Sequence, residues 1–326
     1  MSYNMTTGGA GASIKASELI VSVYDQVEAG FYEALYPEIL WKTILPAESI
    51  KTDINPGAMS YVYRSRDFSG MGQFVQGSVA NIPRVGQSVG QVNVPMLDAA
   101  VGATLTDSEA RKYQYAYQTA LAQDYGEIMR KASEYHVERT FFFGSVAAGF
   151  PAFLDHPNIS KIPVSAFDPT NPLAGLVAIN GALTAVYMNS LTIHMPDTIF
   201  MPPDLIAALA NTPMTLGTGG GVSLVVTALD WLREKTIFSA LSVTDGGEPK
   251  KLKIRPLRYL HGAGVAGVSR CVIGEWIPRN FMMPFPLPYQ LSQPVPIALG
   301  VEMFAEYVFG PFHPRYPGAF AYIDGL

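Results

Sequence analysis

The chain has 326 residues, a formal net charge of −5 and 15 % charged residues, against about 25 % in typical soluble domains. That balance excludes a nucleic-acid reader that grips phosphates with a basic patch, and no Lys/Arg run exceeds Lys250-Lys251. A single cysteine, Cys271, excludes an intrachain disulfide framework and a Cys-based zinc site.

Residues 1–13 are polar and Gly-rich and lack the basic start and apolar core of a signal peptide. No apolar run approaches the roughly 18 residues of a membrane span. The chain is therefore expected to be made in the cytoplasm and to be soluble there. Residues 1–15 read as a flexible arm. A helix is predicted over 16–36, with Leu19, Ile20, Val23, Val27, Phe31 and Leu35 near helical spacing, and Pro37 ends it. Residues 40–46 form a short apolar segment. These first fifty residues have an apolar face but too few elements to enclose it, so they must lie on something else.

Residues 60–97 read as a two-stranded arm. Residues 60–66 are strand-like, and Val92, Val94 and Met96 alternate on the return. Pro95 restricts the returning strand to an edge or an end. The tip carries Gly70, Gly72, Gly77 and Gly86 among Phe68, Met71, Phe74, Val75, Val79 and Ile82. An isolated hairpin is marginal in water, so apolar side chains on it point to another molecule beneath it.

Residues 106–144 predict one helix of about 37 residues, roughly 55 Å long at 1.5 Å per residue. Thr106 and Glu109 form a capping box at its start, and Gly144 ends it. Ala110, Tyr113, Tyr117, Leu121, Tyr125, Ile128, Ala132 and Tyr135 form its apolar stripe. The rest is mixed. Helices are predicted over 173–189, 205–210 and 223–234, the first opened by Pro172. Strands are predicted over 197–201, 252–259, 269–275, 297–308 and 319–323. Residues 217–221 read as a flexible glycine turn. The fold class is α+β, without a run of βα units.

Signals for chemistry are weak. His136, His156, His194, His261 and His313 show no ligand spacing such as H-x-x-x-H. Gly262-Ala263-Gly264-Val265-Ala266-Gly267 matches the dinucleotide fingerprint in letters, but a strand-like stretch follows where a helix is needed, so it reads as a turn. Gly217–Gly221 lacks the Gly-Lys-Ser/Thr ending of a phosphate loop. Cys271 lies in an apolar strand and reads as a small core residue. No catalytic, cofactor-binding or metal-ligating residue is assigned.

The order of parts resembles the HK97-like major capsid proteins of tailed bacteriophages, in particular a family long catalogued as a domain of unknown function. The resemblance rests on Tyr32-Glu33-Ala34-Leu35-Tyr36-Pro37, Ala80-Asn81-Ile82-Pro83-Arg84-Val85, Leu105-Thr106-Asp107-Ser108-Glu109 and residues 196–203, in that order. It implies an N-arm (1–55), an extended β-hairpin loop (56–100), a peripheral domain with the long spine helix (101–200 and 295–326) and an axial domain (201–294). It implies a structural protein, not an enzyme, that self-assembles as pentamers and hexamers into an icosahedral shell around double-stranded DNA, without sequence-specific binding and without a membrane. Its place would be the virion, assembled in the host cytoplasm, with separate scaffolding, portal and decoration proteins as candidate partners. Phe68 and Phe74 on the arm, and Leu19, Val23 and Val27 on the N-terminal helix, are expected to bury against neighbouring subunits. Some relatives join subunits through a lysine on the extended loop; residues 60–97 contain none, so no such crosslink is expected. Some carry a scaffolding segment ahead of the N-arm; with about fifty residues there, scaffold is expected to be separate, already removed or dispensable. Two other readings stand beside this one: an encapsulin-type nanocompartment, which would package protein, and a soluble enzyme, which would show a deep polar pocket.

Overall fold

A computed structural model describes residues 37–69, 85–117, 121–165, 167–168, 170–216, 224–242 and 250–325. Contacts divide the chain into residues 1–38 and residues 39–326, and the second unit is described here. The expected helix over 16–36 with Leu19, Val23 and Val27, the arm tip with Phe74, and the glycine turn at 217–221 lie outside the described residues.

A short helix α1 (Trp41–Ile44) and strand β1 (Ile50–Lys51) precede the arm. Strand β2 (Ser60–Ser69) pairs antiparallel with β3 (Gly86–Pro95), from Ser60 opposite Pro95 to Ser69 opposite Gly86. At about 3.3 Å per residue the paired ribbon is roughly 33 Å long. Pro95 closes β3, where a missing N–H costs least. Strand β4 (Leu97–Thr106) follows directly and was not expected from the sequence.

Helix α2 (Asp107–Tyr117) begins at the predicted capping box: the Glu109 N–H donates to Thr106 Oγ1 (3.3 Å) and the Thr106 N–H to Glu109 Oε2 (3.2 Å). Helix α3 (Leu121–Phe143) continues the spine, residues 118–120 lying outside the description. Its buried face is Met129, Ser133, Val137 and Phe141, while Ile128 is exposed. The buried face is thus rotated from the predicted stripe: Ile128 and Ala132 are exposed, while Tyr125 stays half-buried against the cluster of Leu105, Met129 and Met303. The sequence pattern misleads because Ser133 sits on the buried side, satisfied by donating to Arg130 O (2.7 Å). Gly144 ends the helix at φ 70°, where a Cβ would meet Phe150 O at 2.5 Å.

Strand β5 (Ser160–Pro163), helix α4 (Pro172–Asn189), strand β6 (Thr198–Met201) and helix α5 (Pro203–Asn211) follow, both helices with proline in the first turn. Strands β7 (Pro213–Leu216) and β8 (Leu224–Thr227) form a hairpin. The helix predicted over 223–234 therefore starts late, as α6 (Ala228–Glu234). Val225 and Val226 are β-branched and take the strand, and the Asp230 N–H donates to the Thr227 hydroxyl (3.1 Å), which fixes the true N-cap. After α7 (Ile237–Leu241) come β9 (Lys253–Pro256), β10 (Arg270–Gly274), β11 (Phe281–Pro284), β12 (Leu287–Leu291), β13 (Val295–Ile297), β14 (Gly300–Phe309), β15 (His313–Pro314) and β16 (Phe320–Asp324).

The central sheet has the order β5-β16-β10-β6-β9. Its middle strands are buried on both faces and alternate between two cores. Phe200, Val272, Phe320 and Tyr322 face an aromatic core with Trp41, Phe141, Phe142, Phe153, Trp276, Phe281 and Phe312. Ile199, Met201, Cys271, Ile273, Ala321 and Ile323 face an aliphatic core with α4, α5 and α6. A second sheet sets β12 and β13 on one side of β14 and β4 on the other, the β4 register running from Leu97 opposite Phe309 to Thr106 opposite Gly300.

One buried charge joins these layers. Arg270, 1 % exposed, donates to both Asp324 oxygens (2.5 and 2.8 Å), to Leu154 O (2.5 Å) and to Asp155 (2.8 Å), with its guanidinium 4.7 Å from the Tyr322 ring. Removing one partner of such a pair strands the other charge in the interior, a cost of about 3–5 kcal/mol. Asp324→Ala is therefore expected to lower stability by about that amount in urea unfolding. A loss under about 1 kcal/mol, the size of an exposed pair, would contradict this reading.

Candidate functional site

The histidines are structural in their contacts. His136 Nδ1 lies 2.7 Å from Tyr307 Oη, His194 Nδ1 lies 2.8 Å from Glu275 Oε2, and His261 Nδ1 lies 3.1 Å from Asp204. Glu275 also accepts from the Asn280 amide (2.8 Å). Among the described residues no cluster of three His, Cys, Asp or Glu side chains converges. An open cleft of about 480 Å³ is lined by Asp197, Lys253 and Glu275. Its carboxylates hold the fold: Asp197 accepts from the Trp276 N–H (2.7 Å) and from Lys253 (3.3 Å), and Glu275 holds His194 and Asn280. Cys271 is fully buried, and burial pushes its thiol pKa up, away from nucleophilic use. The glycine fingerprint at 262–267 is a turn, closed by the Gly264 N–H donating to Val268 O (2.8 Å), and strand β10 follows it. No helix N-terminus faces a phosphate there.

What the structure presents instead is exposed apolar surface. The arm stands out from the body at a fixed base. Val94 and Met96 are buried, whereas Val62, Val85 and Val89 are exposed. Tyr63 Oη lies 2.9 Å from His313 Nε2, and the Arg315 guanidinium lies 5.6 Å from the Tyr63 ring. Phe68 lies in β2 opposite Gln87, one residue from the end of the described ribbon. Phe74, Leu19, Val23 and Val27 lie outside the described residues. On the spine helix Glu138, 1 % exposed, accepts from the Leu40 N–H (2.7 Å), Arg258 (2.8 Å) and Tyr259 Oη (2.6 Å). This ties the stretch before α1 to the spine helix. Two apolar surfaces were missed in the sequence. The β12–β14 region exposes Leu291, Val295, Ile297 and Leu299, and α4 exposes Leu173, Val177 and Met188. The signal for the second was the absence of any charge from Pro172 to Asn189.

The sequence matches the family described as "Major capsid protein" over residues 70–326, well over half of the chain. No curated protein matches it in sequence. Among solved structures, the fold is similar to that of "The capsid of Myoviridae Phage XM1", with a TM-score of 0.68 at 12 % identity over 98 % of this chain and 100 % of that one. A chain from Mycobacterium phage Bobi gives a TM-score of 0.60 at 13 % identity over 97 % of this chain and 99 % of that one. The capsid of a native GTA particle gives 0.58 at 12 % identity over 92 % and 94 %. At these identities the structural likeness establishes the fold, and the family match carries the rest.

Near the base of the arm, His156 is 2 % exposed and its Nδ1 accepts from the Asn158 N–H (3.2 Å). Burial, and after it the nearby His313, lowers its pKa from 6.5 to about 4. Burial also lowers His136 and His313, with Arg139 and Arg315 adding to it. A histidine with a depressed folded pKa is neutral in the fold, and the unfolded chain takes up the proton first. Its stabilisation is complete above the unfolded value of 6.5 and is lost as pH falls towards about 4. The melting temperature is expected to fall across that window, and less steeply in His156→Gln, with His136 and His313 keeping part of the slope. A slope unchanged by the substitution would rule out His156 as a contributor.

Proposed function

The chain belongs to the major capsid protein family, and from that premise we propose how it builds its shell. It is a structural protein of the HK97-like fold that self-assembles into the capsomers of an icosahedral phage capsid. The capsomers are pentamers and hexamers, and the shell encloses the double-stranded DNA of a tailed phage. The net charge of −5 and the lack of a basic run support an inner wall that does not grip that DNA. Assembly takes place in the host cytoplasm, with scaffolding, portal and decoration proteins as separate chains. The division into N-arm (1–55), extended loop (56–100), peripheral domain (101–200 and 295–326) and axial domain (201–294) belongs to the same proposal. Two cores on the two faces of one sheet support a two-part body; α4, numbered with the peripheral domain in this division, packs in the same core as α5 and α6 of the axial domain.

The observation that carries assembly is the paired arm of β2 and β3. It is exposed along most of its length and too thin to be stable alone. Phe68 and Phe74 on it, and Leu19, Val23 and Val27 before it, bury against neighbouring copies. Size-exclusion chromatography with light scattering, followed by negative-stain microscopy, is expected to show closed hollow particles or pentamers and hexamers. A stable monomer that neither scaffold nor crowding agents assemble would overturn the proposal. Phe74→Asp is expected to reduce particle yield strongly, and wild-type yield would remove the arm from assembly. On a denaturing gel the particles are expected to run as one monomer band, because residues 60–97 offer no lysine for a crosslink.

A further inference from the structure

Helix α4 runs 18 residues without a charged side chain. One side is core: Leu176, Ile179, Leu183 and Val186 are each at most 3 % exposed. The opposite side carries Leu173, Val177, Gly181 and Met188, which at 100° per residue fall within an arc of about 80°. Leu173 is 51 % exposed, Val177 56 % and Met188 59 %. Two polar side chains of the helix are engaged within the chain. Asn180 Oδ1 accepts from the Ile237 N–H (2.9 Å), and the Thr184 hydroxyl donates to Asn180 O (2.8 Å). Beyond the helix, Leu191 and Thr192 both have positive φ, and the turn they make exposes Leu191 (80 %) and Ile193 (66 %).

Gly181 is the independent observation. It sits in the middle of the helix, where glycine costs about 1 kcal/mol relative to alanine. A Cβ there would meet nothing within 4 Å, so no contact inside the chain requires glycine. Gly175 in the same helix is different, because its Cβ would meet the Phe167 ring at 2.7 Å. A helix that is apolar all round is ordinarily buried all round. A bare glycine midway along its outer face leaves room for close approach by another backbone. What the shell places beside this chain is another copy of it.

We propose that the outer face of α4, centred on Gly181 and flanked by Leu173, Val177 and Met188, is a contact between neighbouring copies of this chain in the shell. The proposal rests on self-assembly of the chain and adds the surface that performs it.

The test uses particles assembled from the full chain alone. Val177→Cys, with Met188→Cys as a second site should the first not fold, introduces a thiol on this face. Cys271 gives no background because it is fully buried. Maleimide labelling is expected to be at least tenfold slower in particles than in unassembled subunits. Gly181→Leu, whose side chain enters open space in a single chain, is expected to cut particle yield at least tenfold. Its unassembled subunit is expected to melt no lower than wild type. Equal labelling rates in the two states, or wild-type yield from Gly181→Leu, would overturn the proposal. So would protection that appears only when a second virion protein is added, since that protein would then be the occupant. Absence of particles from the wild-type chain is a separate outcome, seen before any variant is made, and it removes self-assembly itself.

Discussion

Two-sided burial of the central sheet is the constraint on which the rest of the fold depends. Strands β6, β10 and β16 have no solvent face, so every residue in them must suit one of two cores. Their period of two sorts the cores by chemistry. Bulky residues, Phe200, Phe320 and Tyr322, go to the side of the spine helix, and aliphatic or small residues, Ile199, Ile273 and Ala321, go to the side of α4 to α6. A one-residue slip in any of these strands would exchange the two sets. The Arg270–Asp324 pair sits at one end of the β10–β16 register and opposes such a slip, because a shifted register would leave both charges buried and unpaired.

The parts that leave this body are held at their bases. The arm is fixed where Val94 and Met96 enter the core and where Tyr63 meets His313. The stretch before α1 is fixed where Leu40 meets Glu138, and Trp276 Nε1 donates to Ile44 O (2.7 Å) just beyond it. A ribbon fixed at a rigid base transmits position without fixing what the ribbon finally rests on. That suits a subunit whose last contacts are made by other subunits, since the ordering cost of the ribbon is offset only when it is covered.

Local chemistry was legible in the sequence and non-local pairing was not. The Thr106–Glu109 box, Pro172 opening α4, Gly144 ending the spine and Pro95 closing β3 each act through neighbours in sequence, and all stand where they were read. Strand β4 could not be read that way. Its Ala99, Ala100, Gly102 and Ala103 have weak strand preference, and what makes them a strand is β14, some two hundred residues later. Gly102 shows why: a Cβ there would meet the Phe304 ring at 2.9 Å, a demand set wholly by the partner strand. The buried face of α3 and the late start of α6 failed for a related reason. Ser133 and Thr227 are polar residues satisfied by the backbone, and a count of apolar positions is blind to them. The assembly residues on the arm and the N-terminal helix were chosen because their apolar character lacked an enclosing core. That criterion finds thin elements and overlooks α4, which is half enclosed.

The composition follows from the same logic. With 15 % charged residues the chain cannot cover its surface with charge, and Leu191, Leu299 and Val146 are at least 77 % exposed in three separate turns. Single exposed apolar residues are ordinary on a monomer. Here they join the uncharged face of α4 and the β12–β14 region, which leaves the isolated chain poorly matched to water on several sides. Obligate interfaces resemble a core cut in half, and such a subunit gains part of its core only from its neighbours. Its stability is then tied to its concentration and to its place in the shell. Low charge is the composition expected of a surface that is mostly interior once the shell has closed.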